Sequence, residues 1–271
     1  MNPLGIDYED WLCDVEGVCP SRHTREVFVR QHHAVLKHLA AHGVRATFFF
    51  LGRTVERHPD LVQEIANAGH EVGCHGFGHE KLTAVNQQQF AADLRRATVL
   101  LEEVTGIRPV GYRAPYLSVG PREAEFLYET LADQGYCYSS SVLPLGNRSR
   151  GLADHPRAPK EVACTQGSVW EFPLAVLEGC SWRVPVAGGG FWRMAPRQIV
   201  LWALNSHEAQ GLPFAVYVHP HEFDPQPLRS PRGSLRDLWV NLGRTRVPVI
   251  LDWALHTHSF GTFVDLMSTL K

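Results

Sequence analysis

The first 140 residues alternate short apolar runs with longer stretches of helical period. Leu4–Ile6, Ala46–Leu51, Glu71–Cys74, Pro109–Arg113 and Tyr136–Ser139 read as strands. Between them, Arg25–His42, Pro59–Ala68, a segment capped by Asn86 and running to Thr105, and Pro121–Gln134 read as helices. Val27, Phe28, His32, Val35, Leu36 and Leu39 share one face of the first helix. Gly43, Gly69 and Gly135 stand where helices should stop. Asn86 followed by Gln89 has the form of a capping box. This βα alternation predicts an α/β chain whose parallel sheet is covered by helices. In such sheets the acting side chains stand just past the carboxyl ends of the strands. Asp7, His75, Arg113 and His219 all fall there.

The second half is less regular. Asn147–Thr165, rich in Arg, Pro and His, reads as a loop. Val169–Phe172 and Phe214–Val218 read as strands, with a helix from Pro196 to Gln210 between them. Asp224–Gly233 reads as a surface loop. Val247–His256 fits a helix, and Thr262–Met267 fits either a strand or a helix.

Composition narrows the class. The 271 residues are 44% hydrophobic and 20% charged, which suits one globular α/β unit and argues against disorder. A net charge of -2 excludes a polybasic surface for nucleic acid or anionic membrane, so no nucleic-acid partner is expected. No apolar run is long enough to span a bilayer. Met1–Asp7 has no signal-peptide pattern, which predicts a cytoplasmic protein with its six cysteines as thiols. No CxxC pair occurs. Histidine, at 15, is in excess and directs attention to metal sites.

Four clusters carry candidate chemistry. Asp7-Tyr8-Glu9-Asp10 places three carboxylates in four residues, which repel one another unless a cation or protons intervene. In an extended segment Asp7 and Glu9 share a side. A solvated acidic turn would have the same sequence. His75 and His79 form an HxxxH pair at a strand end, with Gly73, Gly76 and Gly78 demanding a tight loop. Arg113-Ala114-Pro115-Tyr116 offers a guanidinium that can fix a carboxylate and a Tyr116 N–H that could face an oxyanion. A surface Arg before a turn is the plainer alternative. His219 ends an apolar strand, a suitable place for a general acid.

Two further stretches stand out. Glu171 is a lone acid within Trp170–Pro173, where it needs a partner. Gly188-Gly189-Gly190-Phe191-Trp192 lacks the spacing of a phosphate loop and suits a backbone lying close to a sugar, with an aromatic face beside it. Trp170, Trp182 and Trp192 could stack on sugar rings or lie in the core.

Taken in order, these motifs resemble the NodB-homology polysaccharide deacetylases, carbohydrate esterase family four, in the branch associated with exopolysaccharide biosynthesis. The resemblance rests on Asp7–Asp10, Arg45–Gly52, Gly69–His79, Gly111–Ser118, Glu171–Pro173, Gly188–Phe191, His219–Glu222 and Asn241–Thr245, and covers nearly the whole chain. It implies a distorted (β/α) barrel of about seven strands. It implies one catalytic domain over residues 1–271, with a family-specific extension from about residue 225. It also implies a divalent metal, most often zinc, and removal of an acetyl group from an N-acetylated amino sugar or glycan precursor.

Carried over residue by residue, Asp7 matches the general base, and His75 and His79 match metal ligands. The family's adjacent Asp pair is absent here, so Glu9, which shares a face with Asp7, is the preferred third ligand, with Asp10 the alternative. Arg113 matches the residue that orients the base, Tyr116 the backbone oxyanion donor and His219 the general acid. Gly189, Gly190, Phe191 and Trp192 would line the sugar site, and Glu171 would pair with Arg113 or His219. Cys74 replaces the family's usual Ser. Hydrolysis of another C–N bond, in a cyclic amide or ureide, and an inactive carbohydrate-binding relative are the competing expectations.

Overall fold

The computed structural model describes residues 1–145, 151–180 and 182–270. Its strands are β1 (Asn2–Tyr8), β2 (Thr47–Phe50), β3 (Glu71–Cys74), β4 (Gly111–Tyr112), β5 (Tyr138–Ser139), β6 (Lys160–Cys164), β7 (Gly167–Glu171), β8 (Val176–Glu178), β9 (Arg183–Pro185), β10 (Val216–Val218) and β11 (Phe260–Gly261). The helices are α1 (Arg22–His42), α2 (Gly52–Arg57), α3 (Pro59–Asn67), α4 (Gln87–Thr105), α5 (Pro121–Asp133), α6 (Gly189–Met194), α7 (Arg197–Ala209), α8 (Ser234–Asn241), α9 (Arg246–Thr257) and α10 (Phe263–Leu270).

Strands β10-β1-β2-β3-β4-β5-β7 lie side by side in that order, all parallel. All seven residues of β1 are buried, as expected of a strand covered on both faces. Single parallel bridges join Leu174, just beyond β7, to Ala215, just before β10, and Gly188, beyond β9, to Tyr217 of β10. The result is a distorted barrel closed along one seam by isolated contacts, in agreement with the α/β barrel expected.

Local signals explain much of this. Ser21 and Thr24 form a capping box at α1, and Asn86 and Gln89 form the one expected at α4. Gly43 and Gly106 end those helices in the left-handed conformation. An aromatic cluster fills the barrel: Phe263, the first residue of α10, stacks on Tyr138 at 5.4 Å and meets Phe49 at 5.5 Å and Phe172 at 5.6 Å.

Some expectations need correction. Residues 160–164 of the stretch read as loop form β6, an antiparallel edge strand on β7. Its side chains are mostly exposed or half-buried, so no apolar alternation marked it. Asn147–Arg150 of the same stretch lie outside the described residues. The glycine run at 188–190 opens α6. The ambiguous segment near 262–267 is helical, and 247–256 lies within α9.

Candidate active site

Because the strands run parallel, their carboxyl ends open on one side, and that side holds a pocket of about 560 Å³. β1 delivers Asp7 and, just beyond its end, Glu9; both line the pocket. The chain then enters a short π-helical turn, Trp11–Val15, capped by Asp10, whose Oδ1 accepts the Cys13 N–H at 3.3 Å. Asp10 Oδ2 lies 3.5 Å from His58 Nε2. Strand alternation thus turns Asp7 and Glu9 inward and Asp10, the alternative ligand, away.

His75 follows β3, and its Nδ1 donates to the carbonyl oxygen of Arg113 at 2.8 Å. That bond fixes the tautomer and leaves Nε2 as the ring's lone-pair donor. The loop to His79 is shaped by Asp93 on α4, which accepts the N–H groups of Phe77 at 2.7 Å and Gly78 at 2.9 Å. His79 (φ 60) and Tyr116 (φ 57) both hold left-handed backbone, strain of about 1 kcal/mol or more each that clusters at this site. Their rings pack 4.4 Å apart.

Ligand-capable atoms of Glu9, His75 and His79 all lie within 4.8 Å of one another, and the three side chains are buried. His79 Nε2 is 2.8 Å from Glu9 Oε2, an ion-pair distance. Three ligand-capable groups gathered so closely suit a shared positive centre. Burial would raise the Glu9 carboxyl, but the charge of His79 outweighs it and holds the group down at about 2. Burial lowers His75 to about 4, keeping its ring neutral and free to bind. One carboxylate and two imidazoles are a donor set suited to a zinc-class divalent ion.

Beside this triad, Arg113 Nη1 donates to Asp7 Oδ1 at 2.8 Å. The guanidinium also donates to Ser140 O and Ser140 Oγ, each at 2.9 Å, and its carbon lies 4.2 Å from the centre of the Phe49 ring. Arg113 crosses β1 at Gly5, where a Cβ would collide with the guanidinium. His219 follows β10. Its Nδ1 is 3.4 Å from Glu222 Oε2, and the same oxygen accepts the His219 N–H at 2.9 Å. Burial would lower the imidazole, but Glu222 outweighs it and raises His219 to about 9. Glu222 is the acidic partner that the sequence did not identify. Its signal was the His-Pro-His-Glu turn, which places Glu three residues after the ring it serves.

Two expectations are overturned. Trp192 does not face a sugar: it is fully buried, and its indole N–H donates to Val186 O at 2.8 Å. Gly189, Gly190 and Phe191 do line the pocket. The close approach that demands glycine at 188 is to the backbone of Tyr217 rather than to a ligand. Glu171 pairs with neither Arg113 nor His219. It accepts the N–H groups of Ser141 at 2.8 Å and Val142 at 2.9 Å, and the Tyr128 hydroxyl at 3.3 Å.

Residues 29–131 match the family described as polysaccharide deacetylase. That stretch is a polysaccharide deacetylase domain. Residues 140–268 match a second family, a domain of unknown function, DUF3473. The peptidoglycan-N-acetylglucosamine deacetylase of Bacillus cereus is 37% identical over 82 residues, 30% of this chain and 30% of the relative. The chain spans between a fifth and about a third of the length of the curated relatives it first matches. A crystal structure from Mycobacterium smegmatis, provisionally named a polysaccharide deacetylase, superposes with a TM-score of 0.67 at 21% identity, covering 99% of this chain and 90% of the other. PuuE allantoinase superposes with a TM-score of 0.61 at 15% identity, covering 97% and 86%. These two likenesses concern the fold. No helix among the described residues is long and apolar enough to cross a membrane.

Proposed function

We propose that this chain is a divalent-metal-dependent hydrolase that removes the N-acetyl group from an acetylated amino sugar or a glycan built from one. The convergence of three sets on one pocket carries the reading: Glu9–His75–His79, Asp7–Arg113 and His219–Glu222. We read residues 1–271 as one catalytic unit, because the sheet runs through both matched stretches.

Glu9, His75 and His79 would hold the ion, with zinc as the expected metal. When bound, it supplies Lewis acidity to the acetyl carbonyl and to a water molecule. Asp7, oriented by Arg113, takes a proton as water attacks the carbonyl carbon. The Tyr116 N–H donates to the carbonyl oxygen as negative charge builds there. His219, held protonated by Glu222, passes a proton to the sugar nitrogen as the C–N bond breaks. Acetate and a free amine leave. Gly189, Gly190 and Phe191 form the wall against which the sugar lies.

Exopolysaccharide synthesis is the expected setting, on the motif resemblance. The likeness to an allantoinase fold favours one other reading, opening of a cyclic ureide. The deciding experiment offers zinc-loaded protein acetylated glucosamine oligomers and, separately, a cyclic ureide. Acetate release with new free amine supports the proposal. Ring opening without acetate release rejects it, and inactivity toward both favours a binding protein.

A further inference from the structure

We propose that His38 and His42 of α1 and Asp252 of α9 form a second metal site, taking a zinc-class divalent ion and lying apart from the pocket. The two histidines are one helical turn apart, so their rings project from the same face. Their Nε2 atoms converge on one oxygen, Asp252 Oδ1, at 3.3 Å from His38 and 2.8 Å from His42. The three ligand-capable atoms lie within 4.8 Å of one another. A tetrahedral ion with bonds of about 2.0–2.1 Å separates its ligands by about 3.3 Å, close to what these distances provide.

An ordinary hydrogen-bonded bridge does not account for all of the cluster. His42 shares a hydrogen bond with Asp252 Oδ1, but the enclosed His38 Nε2, 3.3 Å from the same oxygen, makes no hydrogen bond among the described residues. His256, one turn after Asp252, brings a third ring within 5.0 Å of His42. Its Nδ1 donates to the Asp252 carbonyl at 2.6 Å, which ties the ring to its own helix. The two histidine side chains are 14% and 16% exposed and Asp252 is 44% exposed, so an ion can reach the site from solvent.

Its position gives the ion a structural role. α1 lies largely in the stretch matching the deacetylase family, and α9 lies in DUF3473. An ion here would tie the two stretches together. His38 also meets Phe223 edge-on at 5.1 Å, directly after the turn that carries Glu222. The clamp therefore backs the segment that positions His219.

The test is ion stoichiometry on untagged, metal-stripped protein titrated with zinc. Wild type should take two equivalents, H38A/H42A one, and H75A/H79A one. The last arm separates this site from the pocket site, since it counts ions with the pocket ligands gone. Zinc should also raise the melting temperature of H75A/H79A. Should the double alanine fail to fold, D252N, a conservative change at a half-exposed position, should weaken the second equivalent at least tenfold. A second equivalent that survives H38A/H42A or D252N, or an H75A/H79A protein that binds no zinc, overturns the proposal.

Discussion

Arg113 and Asp7 face each other at 2.8 Å across the barrel, the guanidinium fully buried and the carboxylate nearly so. An ion pair withdrawn from water in this way orients more than it stabilises, because desolvation offsets most of the attraction. Removing one partner strands the other. Arg113→Met should therefore cost about 3–5 kcal/mol of stability, measured by urea denaturation. Asp7→Asn should lower turnover by about 10²-fold or more while the protein still binds its metal. Full activity in Asp7→Asn would remove Asp7 as the base.

Glu222→Gln tests the partner of His219. The glutamine can still accept the His219 N–H but cannot hold the ring protonated. The expected result is a kcat lowered about tenfold or more, KM little changed and metal content unaltered. A change confined to KM would place Glu222 in substrate binding instead.

Chelation should abolish acetate release, and added zinc should restore it. His79→Ala should bind the pocket ion far more weakly, since it removes one of three protein ligands. Activity that persists after exhaustive chelation, with no metal detected, would reject the metal-dependent mechanism.

Phe191 and Trp192 are neighbours with opposite fates. Trp192→Ala should destabilise the fold by about 3–5 kcal/mol, because it empties a fully buried site and strands the Val186 carbonyl. Phe191→Ala should leave the melting temperature nearly unchanged and raise KM for an acetylated sugar. Reversed results would return Trp192 to the ligand wall.

Acid should loosen the region around α8 through Glu16. Its Oε1 accepts Arg236 Nη2 at 2.6 Å, and its Oε2 accepts the Ser230 hydroxyl at 2.6 Å. Burial alone would raise the carboxyl, but these bonds outweigh it and hold Glu16 below the ordinary 4.5. The stabilisation is thus complete above about pH 4.5 and is lost as pH falls through the lowered folded-state value. Glu16→Gln should cost about 1.5–3 kcal/mol at pH 7, as loss of hydrogen bonds to a charged group does. The gap in melting temperature between variant and wild type should narrow below pH 4. A gap constant with pH would contradict the assignment.

How far the sequence disclosed all this depends on how local each signal is. The α4 capping box needs only Asn86 and Gln89, and the structure places both as expected. Asp7, His75, Arg113 and His219 were visible because each follows an apolar run. Strands β4 and β5 were read as Pro109–Arg113 and Tyr136–Ser139, but each has only two residues, so their bounds were overrun. α6 was hidden because Gly189 and Gly190 are poor helix formers, and tertiary packing of Trp192 overrides that preference. Asp93 was invisible for another reason: it reaches the histidine loop from mid-helix, 15 residues away in sequence from Gly78.

The pairing of β1 has one more consequence. This strand, which leads to Glu9, is flanked by β2 on one side and by β10 on the other. Its second neighbour therefore comes from the stretch that matches a different family. That stretch cannot be shed without baring an edge of the sheet, but it could be replaced wholesale. Such a replacement would exchange His219, Glu222 and the wall at Gly189–Phe191 together, leaving Glu9, His75 and His79 in place.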